Sequence, residues 1–192
     1  MVFLVAVGVG LVFGGGDQYL GSLNAPGLWT VSLSMLSAPW LVLPFAFGCS
    51  QPHARRAAAV GLVATLSALS GYFLMIMGPL EGGQWTMNLR EIHGLLFSNW
   101  LNIAGGFLTA PLYGLLGLRW RTRRAWTSAV LVSGALCLEP LVVTAARRSY
   151  PGQSVVWPVE VAVGIALVAY FLVAGVSYRR RAGSKLSEPR AI

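Results

Sequence analysis

The sequence predicts an all-α fold: a polytopic membrane protein with six transmembrane helices and both termini in the cytoplasm. Three observations predict it. Six stretches, near residues 2–21, 28–48, 57–79, 100–118, 125–146 and 158–178, carry the roughly 20 mostly apolar residues that about 30 Å of hydrocarbon requires. Eleven of the fourteen Lys and Arg residues fall on one side of that pattern, in the groups Arg55-Arg56, Arg119 to Arg124 and Arg179 to Arg190, which the positive-inside rule assigns to the cytoplasm. Tryptophans mark both interfaces: Trp29, Trp85, Trp100 and Trp157 on the outer side, Trp120 and Trp126 on the inner, with Trp40 alone deep. A chain of 192 residues that is 56% hydrophobic and only 10% charged lacks the polar surface of a soluble domain. The spans make one domain over 1–178, a basic tail follows over 179–192, and the expected location is the plasma membrane.

Each span has its own signals. Span 1 lacks a basic leader region, and Gly14-Gly15-Gly16-Asp17 does not resemble a cleavage site, so it reads as a retained helix. Gly10, Gly14 and Asp17 share one of its faces, and Gly10-x-x-x-Gly14 is a close-packing motif that aims Asp17 at protein. Span 2 carries Ser37-Ala38-Pro39-Trp40, echoed in span 4 by Thr109-Ala110-Pro111-Leu112. Both echoes precede an Arg-Arg-Ala, which suggests a parallel internal repeat. Span 3 opens after Arg55-Arg56, and a loop over 81–100 then stays outside the membrane. There Met87, Ile92, Leu95 and Leu96 form the apolar side of an interfacial helix, with Arg90, Glu91 and His93 on wetter positions. The glycine pairs Gly82-Gly83 and Gly105-Gly106 permit close packing or hinging. In span 5, Ser128, Val132, Ala135 and Glu139 line one face, and Pro140 interrupts the helical hydrogen bonding beside Glu139. In span 6, Glu160 falls two residues after Pro158, with Gly164 one turn on.

The net charge of +8 does not predict nucleic-acid binding, because the basic residues sit beside span ends and not on one face of a domain. Cys49 and Cys137, the two cysteines, form no disulfide, zinc or haem spacing. Nucleotide-binding loops, nucleophile elbows and metal-binding motifs are missing as well, so no cofactor and no metal is expected.

Asp17, Glu139 and Glu160 carry the functional signal. A carboxylate inside a span costs about 2.5–3.5 kcal/mol on insertion scales, so such residues are kept for a reason. All three fall in the outer third of the bilayer, which suggests one shared cavity. A carboxylic acid in an apolar site favours its neutral form, the form a general acid needs. Plainer readings stand beside this: Glu160 in a first helical turn is favoured by the helix dipole, Asp17 is close to the interface, and Arg147 and Arg148 are within reach as ion-pair partners. His93 offers a proton relay above the acids, although a lone histidine in such a loop usually belongs to the surface.

Ser37-Ala38-Pro39-Trp40 before Phe45-x-Phe47-Gly48, Arg55-Arg56-Ala57, Gly71-Tyr72, Leu138-Glu139-Pro140-Leu141 and Val156-Trp157-Pro158-Val159-Glu160 with Gly164 together resemble a family of uncharacterised small bacterial integral membrane proteins. The resemblance covers most of the chain except the first loop. It implies the six-span fold and weight on Glu139 and Glu160, and no chemistry.

Two functions fit this pattern. One is a membrane-embedded enzyme using Glu139, Glu160 and Asp17 for acid–base work on a lipidic, isoprenoid-like substrate, such as a proton-initiated cyclisation. Trp40, Tyr72, Phe73, Trp157 and Tyr170 would supply aromatic faces that stabilise a carbocation; at the level of class this is similar to small membrane-bound isoprenoid cyclases. The other is a small proton- or cation-coupled transporter or resistance protein, with a non-catalytic accessory subunit held by anionic lipid as a third reading. Membrane lipids and a lipidic small molecule are the expected partners, a homo-oligomer is compatible, and nucleic acid is not expected.

Overall fold

A computed structural model describes residues 1–23, 29–34, 36, 38–78, 89–123, 126–145 and 153–186; some side chains on these helices, Glu139 among them, lie outside the described set. The described residues form helices and connecting turns with no strand: α1 (Val2–Ser22), α2 (Trp29–Ser34), α3 (Ala38–Cys49), α4 (Ala54–Met77), α5 (Leu89–Ser98), α6 (Trp100–Arg123), α7 (Trp126–Ala145) and α8 (Gln153–Leu186). Four stretches are long and apolar enough to cross a membrane: Val2–Ser22, Ala54–Met77, Trp100–Thr122 and Val156–Ala174.

Small residues set the packing. Helix α1 runs parallel to α4, with Gly10 against Ala64 and Gly14 against Ala68. A Cβ on Gly10 would come within 2.5 Å of the Ala64 carbonyl oxygen, and one on Gly14 would overlap the Ala68 backbone. From the other side, Gly71 of α4 meets the Leu11 backbone. The Gly10-x-x-x-Gly14 face is therefore the contact face, and it carries Asp17 toward the bundle. Helices α4 and α6 run antiparallel, Gly61 lying against Ala110 and Gly114 against Ala57, while α3 crosses both through Gly48 and Pro44. Helix α7 pairs mainly with α8.

The second expected span is interrupted. Leu36 is not helical, and α2 ends at Ser34 before α3 begins at Ala38. Pro39 has no N–H to donate and its fixed φ suits the first turn of a new helix, the place it occupies in α3. Ser34 Oγ also donates to the Val31 carbonyl at 2.9 Å, a local bond that competes with helix continuation. The echoed segment behaves differently, because Pro111 lies in the interior of α6. The two similar sequences thus have different local structures.

Two other expectations shift. Pro140 sits inside an unbroken α7, where Thr144 Oγ1 donates to the Pro140 carbonyl at 2.7 Å. Helix α8 starts at Gln153, five residues before Pro158, which puts Glu160 beyond the first turn and away from the N-terminal dipole. In the loop, α5 is amphipathic and buries none of its side chains: Arg90, Glu91 and His93 are exposed, with Ile92 and Leu95 half-buried. Met87, Gly82-Gly83, Arg147 and Arg148 lie outside the described residues.

The bundle has two chemically distinct ends. Arg55 and Arg56 open α4, while Arg119 and Arg121 close α6, and Arg121 Nη1 donates to the Cys49 carbonyl at the α3 C-terminus, 3.3 Å away. Trp120, Trp126 and Phe171 join α6, α7 and α8, with ring centroids 4.8 Å apart for the two tryptophans and 5.2 Å for Trp120 and Phe171. We call this the arginine end. Replacing Gly14 by Val should force α1 off α4 and cost at least the ~1–3 kcal/mol typical of overpacking. The Gly8→Val variant, where a Cβ meets open space, should melt with the parent protein. Thermal unfolding in detergent checks the pair, and equal melting of both variants would contradict the packing described.

Candidate functional site

At the opposite end, the interruption between α2 and α3 leaves a cavity of about 480 Å³ among α1, α3, α4 and α6. Irregular backbone at membrane depth is tolerated where it lines such a space, and Ser34 and Leu36 beside the break do line it. Asp17 reaches the cavity from α1 because the glycine face of that helix turns inward. Trp40, in the first turn of α3, donates its indole N–H to Asp17 Oδ2 at 3.3 Å.

The indole also starts an aromatic wall. Trp40 meets Phe13 edge-to-face at 5.4 Å and Tyr72 at 6.2 Å, and Tyr72 in turn meets Phe73 at 5.6 Å. Such edge-to-face contacts are worth about 0.5–1.5 kcal/mol each beyond burial, so the wall is held in place. Phe13 is one helical turn before Asp17, and Trp40 is therefore clamped by a ring and a carboxylate of the same helix face.

The remaining walls are graded. Asn99 and Asn102 sit at the α5–α6 junction, where Asn102 Nδ2 donates to Asn99 Oδ1 at 3.3 Å and Asn99 Nδ2 donates to the Leu95 carbonyl at 3.0 Å. Deeper along α6 come Gly105, Gly106 and Thr109, opposite Leu69 and Thr65 of α4. Thr65 is 5% exposed, and its Oγ1 has no hydrogen-bond partner in the structure. One turn further toward the arginine end the helices close: Gly61 lies against Ala110 and Pro44, and Gly114 against Ala57. The stretches 2–13, 41–48, 57–64 and 110–118 below the cavity contain no Asp, Glu, His, Lys or Arg.

The structure thus brings together four of the residues singled out from sequence: Asp17, Trp40, Tyr72 and Phe73. Others are elsewhere. Glu160 is buried at 6% exposure on the face of α8 that also carries Val156 and Gly164, and α8 packs chiefly on α7. It is not among the described residues of the cavity wall. Glu139 lies on α7 directly before Pro140, its side chain outside the described set. Trp157 is half-buried on α8, and Tyr170 is 65% exposed and stands edge-to-face against Phe171. His93 is exposed on α5 and stacks on Phe97 at 6.3 Å.

Phe13, Asn99, Asn102, Thr65 and the open space at Gly105 were not singled out from sequence as site features. The i, i+3 asparagine pair at the start of an apolar span was the legible signal among them; Thr65 looks like any small residue in a helix. Among the described residues no three His, Cys, Asp or Glu side chains converge as a metal site.

The Asp17–Trp40 contact should behave as a coupled pair. Asp17→Asn and Trp40→Phe should each destabilise the protein, and the double variant should be less destabilised than their sum by about 1 kcal/mol. A double-mutant cycle by thermal unfolding measures this, and strict additivity would mean the bond contributes nothing in solution. No protein-family model, no curated protein and no solved structure matches this chain.

Proposed function

We propose that this chain is a membrane-embedded enzyme that performs acid–base chemistry on a lipidic, isoprenoid-like substrate, with Asp17 as the proton-transfer group. The observation that carries this reading is a carboxyl, oriented by an indole, inside a cavity with an aromatic wall. The positive-inside rule puts the arginine end in the cytoplasm and the cavity in the outer half of the bilayer.

A proton-initiated isomerisation fits these parts. The neutral Asp17 carboxyl gives its proton to one carbon of a double bond, and the π pair forms the new C–H bond. The cation left on the neighbouring carbon is attacked by a second double bond, closing a ring. A proton lost from the carbon beside the new cation returns to the Asp17 carboxylate, its C–H pair becoming the product double bond. Atoms and electrons balance, and the acid is regenerated. The Tyr72, Phe73 and Trp40 rings supply the negative faces that stabilise the passing cation. The closed backbone packing beneath the cavity favours a site served from one side, as an enzyme of bilayer lipids needs. Glu139 and Glu160 remain proposed acids of a separate helix pair.

The interrupted α2–α3 helix favours a second reading, because broken helices at a binding site are common in carriers. There Asp17 would pair with an amine-like solute. Mass spectrometry of lipid extracts from cells expressing the wild type or Asp17→Asn at matched membrane levels separates the two. A new lipid product should appear with the wild type and fall by about 10²-fold or more in the variant, the scale of losing a general acid. Unchanged lipids together with Asp17-dependent uptake or tolerance of added amines would replace the enzyme by the carrier.

A further inference from the structure

The walls of the cavity change character with depth. At the α5–α6 junction are two carboxamides, Asn99 and Asn102, the second oriented by its bond to the first. Asp17 and the aromatic wall come next, and the deep part is formed by Leu69, Thr65 and the bare backbone of Gly105 and Gly106. From Asn99 to Thr109 is about 15 Å along α6 at 1.5 Å per residue. A volume of about 480 Å³ drawn out over that length is a slot and not a chamber. Its described lining includes no Lys, Arg or His and one carboxyl.

We infer that the occupant is a single-chain amphiphile with an uncharged hydrogen-bonding head, a long-chain alcohol or carbonyl compound, lying along α6 with its head at Asn99 and Asn102. This rests on the reading of the cavity as a substrate site. A phosphate or carboxylate head would find no cation in the described wall. Carboxamides, by contrast, donate and accept, which suits a hydroxyl or carbonyl. A two-chain lipid exceeds the volume of about 480 Å³. The chain passes Asp17 and ends where the helices close at Gly61 and Ala110.

Gly105 sets the width. A Cβ placed on it meets nothing within 4 Å, whereas one on Gly106 would touch Thr65 at 3.3 Å and Leu69 at 3.4 Å. Gly105 therefore accepts a larger side chain without a backbone clash, and that side chain takes room from the occupant. It is a specificity-determining residue, distinct from the acid.

The test is photolabelling of the purified full chain in phosphatidylcholine nanodiscs, using hexadecanol with a mid-chain diazirine and peptide mass spectrometry. Label is expected on α4 and α6, competed by unlabelled hexadecanol. It should fall at least tenfold in Gly105→Phe, partially in Gly105→Ala, and not at all in Gly134→Phe, another position where a Cβ meets open space. Melting temperatures establish that each variant is folded, and Gly105→Ala carries the test where Gly105→Phe is not. Undiminished label in a folded Gly105→Phe overturns the assignment, as does absence of label from the cavity helices. Competition by hexadecyltrimethylammonium but not hexadecanol overturns the uncharged head. Labelling of the wild type without any lipid turnover would leave this inference intact while removing the acid–base reading. Lipid turnover without labelling would do the reverse.

Discussion

Close approach of helix backbones is the constraint from which the rest of this structure follows. In a bilayer the lipid chains are as apolar as leucine, so helices gain nothing by hiding leucine from lipid. They associate where small residues let many atoms meet at short range. Gly10, Gly14 and Gly71 provide this between α1 and α4, and Gly48, Gly61 and Gly114 among α3, α4 and α6. The large apolar side chains, such as Val12, Leu108, Leu131 and Val173, are left facing outward. This reverses the arrangement of a soluble core, and it makes the bundle intolerant of added methyl groups at a few positions.

The same constraint shapes the cavity. Helices pressed together at the arginine end must part somewhere if a site is to exist between them, and the non-helical Leu36, between α2 and α3, lines the space where they do. Polar groups follow that opening: Asp17 and Trp40 satisfy each other, and the two asparagines hold one another at the α5–α6 junction. Each would be costly against lipid and is accommodated because the space is protein-lined. These polar groups thus lie where the described helices part.

Much of this was legible in the chain. The glycine spacing of α1 fixed its contact face, and with it the inward aim of Asp17. Alternation of apolar and charged residues marked α5. The helix boundary at Pro39 was harder to read, because proline is tolerated inside membrane helices and Pro44, Pro111, Pro140 and Pro158 all lie within them. Apart from the Ser34 hydroxyl bond to Val31 upstream, nothing local distinguishes Pro39 from these; the outcome depends on what the neighbouring helices leave free. Of the three acids expected in one cavity, Asp17 lines the wall, Glu160 is not among its described lining, and the Glu139 side chain is outside the described residues. Depth along a span can be read from sequence, but the azimuth of one helix about another depends on packing, and α8 packs chiefly with α7.

The junction between α5 and α6 has a mechanical consequence. Backbone bonds from Asn99 to Leu95 and from Ile103 to Asn99 carry the turn across without slack. Helix α5 buries no side chain in the bundle, so in a bilayer its level is set by the water–lipid boundary. The carboxamide pair rides on that junction. On the proposed reading of the cavity, a bilayer too thin or too thick for α5 would strain this junction, and bilayer thickness would bear on what the site can hold.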